Sequence, residues 1–152
     1  MAVGAAARRW PRASTRGDHG YVHAYLSSKA SDVVSQIRKI SLGLRDFANE
    51  EWCALYYSSA HQWDYWATHA LPRDSRAHSA DVDAALLVAA KSATGVDFEN
   101  DEIARRRLRL PAREKGGGVR SHVETTAAAF CGAVNQAVPR FIDHTDDAGE
   151  VV

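Results

Sequence analysis

Seven cationic side chains crowd the stretch from Ala104 to Arg120: Arg105, Arg106, Arg107, Arg109, Arg113, Lys115 and Arg120, against a single acid, Glu114. Guanidinium groups grip phosphate oxygens through paired N–H donors. Gly116, Gly117 and Gly118 interrupt the run and would let a backbone approach a ligand closely. Beyond Ser121 a helix is expected to open, and its free first-turn amides favour anions. The chemistry this points to is contact with the backbone of DNA or RNA. The same spacing suits a solvated face whose arginines pair with Asp101, Glu102 and other acids, so both readings stay open at this stage. The glycines are not a phosphate loop, which ends in Gly-Lys-Ser or Gly-Lys-Thr.

Other residue types invite chemistry less strongly. His61, Asp64 and His69 could ligate a metal or move protons, but positions 61 and 69 lie two helical turns apart and no His-Glu-x-x-His pattern occurs. Structural roles are expected for all seven histidines. Trp52, Tyr56, Trp63 and Trp66 could stack on bases or dock a partner protein, yet aromatics at helical spacing beside Leu55 and Ala67 more often fill a core. Asp146 and Asp147 resemble a polymerase metal pair only in being adjacent, since such a pair needs a strand hairpin and a third carboxylate. Cys53 and Cys131 sit in apolar helical patterns without Cys-x-x-Cys spacing, which predicts buried, reduced thiols and a reducing compartment. No Ser, His and Asp motif or activated cysteine stands out, and no cofactor is expected.

The elements that would position these groups are helical. Val33, Ile37, Ile40, Leu44 and Phe47 recur at steps of four and three, which predicts a helix over Ser28 to Asp46, capped by Ser28 or Ser31. Asn49 with Glu50 and Glu51 starts a second, aromatic helix running to about Ala70. A third begins near Asp74 or Ser79, carries Val82, Ala85, Leu86, Ala89 and Ala93, and stops at Gly95. Asn100, Asp101 and Glu102 cap a short helix to about Leu108, and Pro111 with the glycines imposes a loop. Ser121 and Glu124 form a capping box for a last helix, which Pro139 ends near Val138. No period-two alternation or repeat appears. The expected fold is all-α: an irregular bundle of about five helices with flexible ends.

A chain of 152 residues suits one domain. Residues 1 to 18 read as a flexible basic leader, 19 to 145 as the helical domain and 146 to 152 as an acidic tail. The formal net charge is +0, but four Arg and no acid occupy the first sixteen residues, while four acids occupy the last twelve. No apolar run is long enough to span a bilayer, and no secretory leader follows the basic residues. The expected location is intracellular, nuclear or cytoplasmic, with organelle targeting by the basic N-terminus as a further option.

The residues also carry a family likeness. Gly17-Asp18-His19-Gly20-Tyr21-Val22, then Ala30-Ser31-Asp32-Val33-Val34 through Ile37, Ile40 and Leu44, resemble the segment after the palm in reverse transcriptases of non-LTR retrotransposons. Asp64-Tyr65-Trp66 with Leu71-Pro72, the run from Arg106 to Arg113, and Gly116-Gly117-Gly118-Val119-Arg120-Ser121 resemble that family's leucine-proline and glycine-rich signature. Ala128, Ala129 and Phe130 follow in a helix. The likeness spans nearly all of residues 17 to 145 and implies a thumb-like helical region that helps hold primer and template. The fingers, palm and magnesium-binding aspartates precede this region in the family, and residues 1 to 16 resemble none of them. The likeness therefore implies a non-catalytic fragment of an RNA-directed DNA polymerase, with Arg105 to Arg120 on the nucleic acid backbone. Two readings compete with it: a free-standing helical module that docks a protein through Trp52, Trp63 and Trp66, and an unrecognised small enzyme, which would need a convergent set of buried ionisable groups in a pocket.

Overall fold

The computed structural model describes residues 19–146. The basic leader and residues 147–152 of the acidic tail, Asp147 included, lie outside the described residues. Among those described, every regular element is helical. The first helix, α1 (His19–Leu44), turns Leu26, Ala30, Val33 and Ile37 inward at steps of four, three and four, which keeps them on one stripe. It runs unbroken through Ser28 and Ser31, so neither is the expected cap: the polar residues between the stripe positions face solvent, and nothing there interrupts the helix.

A kinked helical run follows, made of α2 (Ala48–Ala54), a π-helical turn (Leu55–Ser59), α3 (Ala60–Gln62) and α4 (Asp64–His69). Its inward positions, Glu51, Leu55, Ser59, Trp63 and Ala67, recur every four residues. A regular 3.6-residue helix would rotate such a series by roughly 40° per step and carry it off the core. The wider π turn underwinds the chain in the middle of the series and holds both ends on one side. Asn49 lies inside α2 and makes no cap bond. Glu51 instead points inward, fully buried, and accepts a bond from Ser41 Oγ of α1 at 2.5 Å.

Helix α5 (Pro72–Thr94) is central, packing on α1 along one flank and on α7 (His122–Asp146) along another, while α4 also lies on α7. It starts earlier than Asp74 because Pro72 occupies its first turn, where a missing N–H costs nothing. It ends as expected at Gly95, whose φ is 73°. Val82, Leu86, Ala89 and Ala90 bury its apolar face in the core cluster that also holds Trp63, which is 0% exposed. Ser79 Oγ takes the Trp63 indole N–H at 2.8 Å and lies 3.1 Å from Thr126 Oγ1, so one hydroxyl joins the kinked run at the α3–α4 junction to α5 and α7.

Two further expectations fail. Pro139 lies inside α7, which continues to Asp146. Its φ suits a helix, and the ring removes only one backbone bond, to the carbonyl of Asn135, while later residues keep theirs. Both thiols, Cys53 and Cys131, are exposed: the apolar neighbours that suggested burial turn inward, and the cysteines fall on the opposite faces of their helices. No helix of the described residues is long and apolar enough to cross a membrane.

Candidate nucleic-acid interface

The cationic run folds into α6 (Glu102–Arg109) and a loop that doubles back over its end. Asp101 caps α6, its Oδ1 accepting the Ala104 N–H at 2.9 Å. Only Leu108 of the helix is buried, so the arginines surround a single anchor. After Pro111 a 3-10 turn (Ala112–Glu114) leads to Lys115, at φ 60° the one non-glycine residue with positive φ among those described.

The glycines then press onto the helix end. Gly117 N donates to Arg107 O at 3.0 Å, Gly118 N to Leu110 O at 2.8 Å and Val119 N to Leu108 O at 3.1 Å. These bonds satisfy carbonyls that a helix C-terminus leaves open. A side chain at Gly116 would strike the Leu110 backbone, one at Gly117 would come within 2.8 Å of Leu108 O, and one at Gly118 would run into the Tyr56 ring. The glycines therefore serve chain-to-chain packing, and their amides are not turned toward a ligand.

The expected anion site at the start of α7 is also filled. Asp83 of α5 accepts the Ser121 hydroxyl at 2.7 Å, the His122 N–H at 2.8 Å and the Val123 N–H at 3.2 Å, while Ser121 Oγ takes Glu124 N at 3.4 Å. A protein carboxylate thus sits where a phosphate would have sat. The capping box is only half formed, because the Glu124 carboxylate turns away to Arg109 Nη1 at 2.5 Å. Asp83 was missed in sequence. Its one hint is that no cation stands three or four residues away on its own helix to pair with it.

The seven cations divide into two groups. Arg105 and Arg106 share Glu102, the latter at 3.1 Å, and these bonds, Arg105's first, hold the Glu102 carboxyl below its usual pKa. Arg109 binds Glu124, Arg113 lies 3.7 Å from Glu114, and Arg120 lies 3.7 Å from Asp64 of α4. Arg107 and Lys115 are exposed, and among the described residues neither has a carboxylate within 4.0 Å. They line a groove of about 390 Å³ together with Trp52, Phe98 and Ile103. Exposed ion pairs contribute only about 0–1 kcal/mol, so the paired arginines can exchange carboxylate for phosphate.

Beside this run, Asp64 gathers three cationic or protonatable groups: His61 Nδ1 at 3.2 Å, His122 Nδ1 at 3.3 Å and Arg120. Burial pushes its carboxyl up, but His122, His61 and Arg120 together outweigh that and hold it below the usual aspartate value. His122 is fully buried and neither ring nitrogen makes a directed hydrogen bond. The cluster ties α4 to α7, and none of the larger grooves opens onto it. Among the described residues no group of three His, Cys, Asp or Glu is placed to hold a metal ion.

The aromatic set does not form a platform. Trp63 lies in the core, and Trp52 and Trp66 are packed against it and only partly exposed. Trp63 is fully buried and so does not contribute to an exposed face with Trp52 and Trp66. No protein-family model, curated protein or solved structure matches the chain.

Proposed function

We propose that this chain is a non-catalytic helical module that binds nucleic acid backbone through Arg105, Arg106, Arg107, Arg109, Arg113, Lys115 and Arg120, and that it derives from the post-palm region of a non-LTR retrotransposon reverse transcriptase. The observation that carries the binding role is the unpaired Arg107 and Lys115 at the surface of α6 and its loop. The exposed guanidinium groups of Arg106 and Arg113 extend the same charged strip. The derivation is supported by the motifs at Asp64-Tyr65-Trp66, Leu71-Pro72 and Arg106 to Ser121.

Binding of this kind releases counterions, so affinity falls steeply with salt and ignores sequence. Fluorescence anisotropy of the chain with labelled oligonucleotides, at low and moderate salt, tests it. The double variant Arg107→Ala, Lys115→Ala is expected to weaken binding to all sequences alike and to reduce the salt slope by about two. Failure of both single strand and duplex to bind at low salt would end this reading.

A further inference from the structure

We propose that the groove lined by Arg107 and Lys115 receives one unpaired base of a single-stranded nucleic acid, so that this surface prefers single strands to duplex. The inference rests on the backbone-binding reading and specifies which nucleic acid that surface takes. The groove alternates in chemistry. Partly exposed Trp52 and exposed Ile103, with the almost fully buried Phe98, give it an apolar and aromatic lining, and the unpaired cations Arg107 and Lys115 line it as well. A single strand alternates in the same way, with a flat π-faced base between successive phosphates, and aromatic walls with flanking cations bind such strands by stacking and charge. A duplex keeps its bases stacked inside and offers phosphates alone to such a groove.

The local backbone is built to keep the groove open. Gly117 lies flat on Leu108, where any side chain would crowd the wall, and Lys115, at a left-handed φ of 60°, lines the groove with Arg107. The one carboxylate in the lining, Asp101, accepts the Ala104 N–H and makes no ion pair within 4.0 Å with either cation. Ile103 is 75% exposed, an apolar side chain held in water at the groove's edge. An acidic peptide could satisfy the two cations, but a strand also supplies phosphates for Arg106 and Arg113 beyond the groove, which favours the strand.

The test compares three probes of equal phosphate number by anisotropy with the whole chain: an oligothymidylate of about twelve nucleotides, the same strand made abasic, and a duplex. The expected result is that the abasic strand and the duplex bind about tenfold more weakly than oligothymidylate, the scale of a lost base stack. Ile103→Ala, which leaves the core and the charge unchanged, is expected to weaken oligothymidylate several-fold and leave the abasic strand unaffected. Trp52→Leu should act in the same direction, and Ile103→Ala keeps the test valid if that variant does not fold. Equal binding of all three probes overturns the base-in-groove inference and leaves backbone binding intact. Absence of any nucleic acid binding overturns both, as does capture of an acidic aromatic peptide by a chain that ignores all three probes.

Discussion

Gly118 shows how narrowly single positions are constrained. Its φ is +72°, and a Cβ there would meet the ring of Tyr56. Gly118→Ala is expected to lose about 1–2 kcal/mol from the left-handed backbone alone, with the steric overlap in addition. Adding Tyr56→Ala should recover the overlap part only, a split readable in urea unfolding. Lys115 has the opposite defect, a side chain at positive φ where glycine would be relaxed. Lys115→Gly is expected to stabilise the fold by about 0.5–1 kcal/mol while weakening nucleic acid binding, and a loss of stability would refute the strain. His78 supplies a pH dependence. Burial, then the charge of His23 with ring centroids 4.7 Å away, lowers its pKa, with Asp81 opposing. The folded state thus resists protonation, so its contribution is complete above the unfolded value of about 6.5 and is lost as pH falls through the lowered one. His78→Leu should flatten the decline in urea midpoint between neutral and mildly acidic pH; an unchanged slope would show that other groups cause it.

At the scale of elements, the start of α7 depends on a residue from another helix. Asp83→Ala strips the acceptor from Ser121, His122 N and Val123 N together and is expected to cost about 1–3 kcal/mol, more than an ordinary cap within one helix. A cost below a few tenths would mean water replaces the carboxylate fully. Pro139 is the converse case, a helix breaker that the helix absorbs. Pro139→Ala should raise the helical circular dichroism signal and slow amide exchange around residues 136–143; no change in either would show that the break has no energetic consequence.

For the whole molecule, the hydroxyl of Ser79 is the point where three helices meet. Ser79→Ala leaves the Trp63 N–H buried without an acceptor, and the expected loss is about 1–3 kcal/mol in a single cooperative transition. A blue-shifted tryptophan emission retained at wild-type stability would show that the bond is dispensable. The same packing decides what remains at the surface for function. With Trp63 inside and the amides of the glycine loop and α7 occupied, what the cationic run still offers at the surface is its side chains, Arg107 and Lys115 among them.

The sequence by itself determined the all-α class, the Val33 and Ile37 part of the α1 stripe, the Gly95 stop, the Asp101 cap and the cluster of seven cations, because each follows from a period or a local bond within a few residues; Leu26 and Ala30 extend that stripe toward the N-terminus, and Phe47, expected on it, is exposed beyond the end of α1. Only the tertiary structure decided which of those cations are free, since their partners Glu124 and Asp64 lie on other helices. The same holds for the anion site at α7: local amides predict it, and Asp83, 39 residues before His122, fills it. The π turn belongs here too, because the core's demand for residues 51 to 67 on one face outweighs the regular helix that local propensity favours. Contacts between distant segments carry no periodic signature, so their chemistry becomes legible only when the helices are packed.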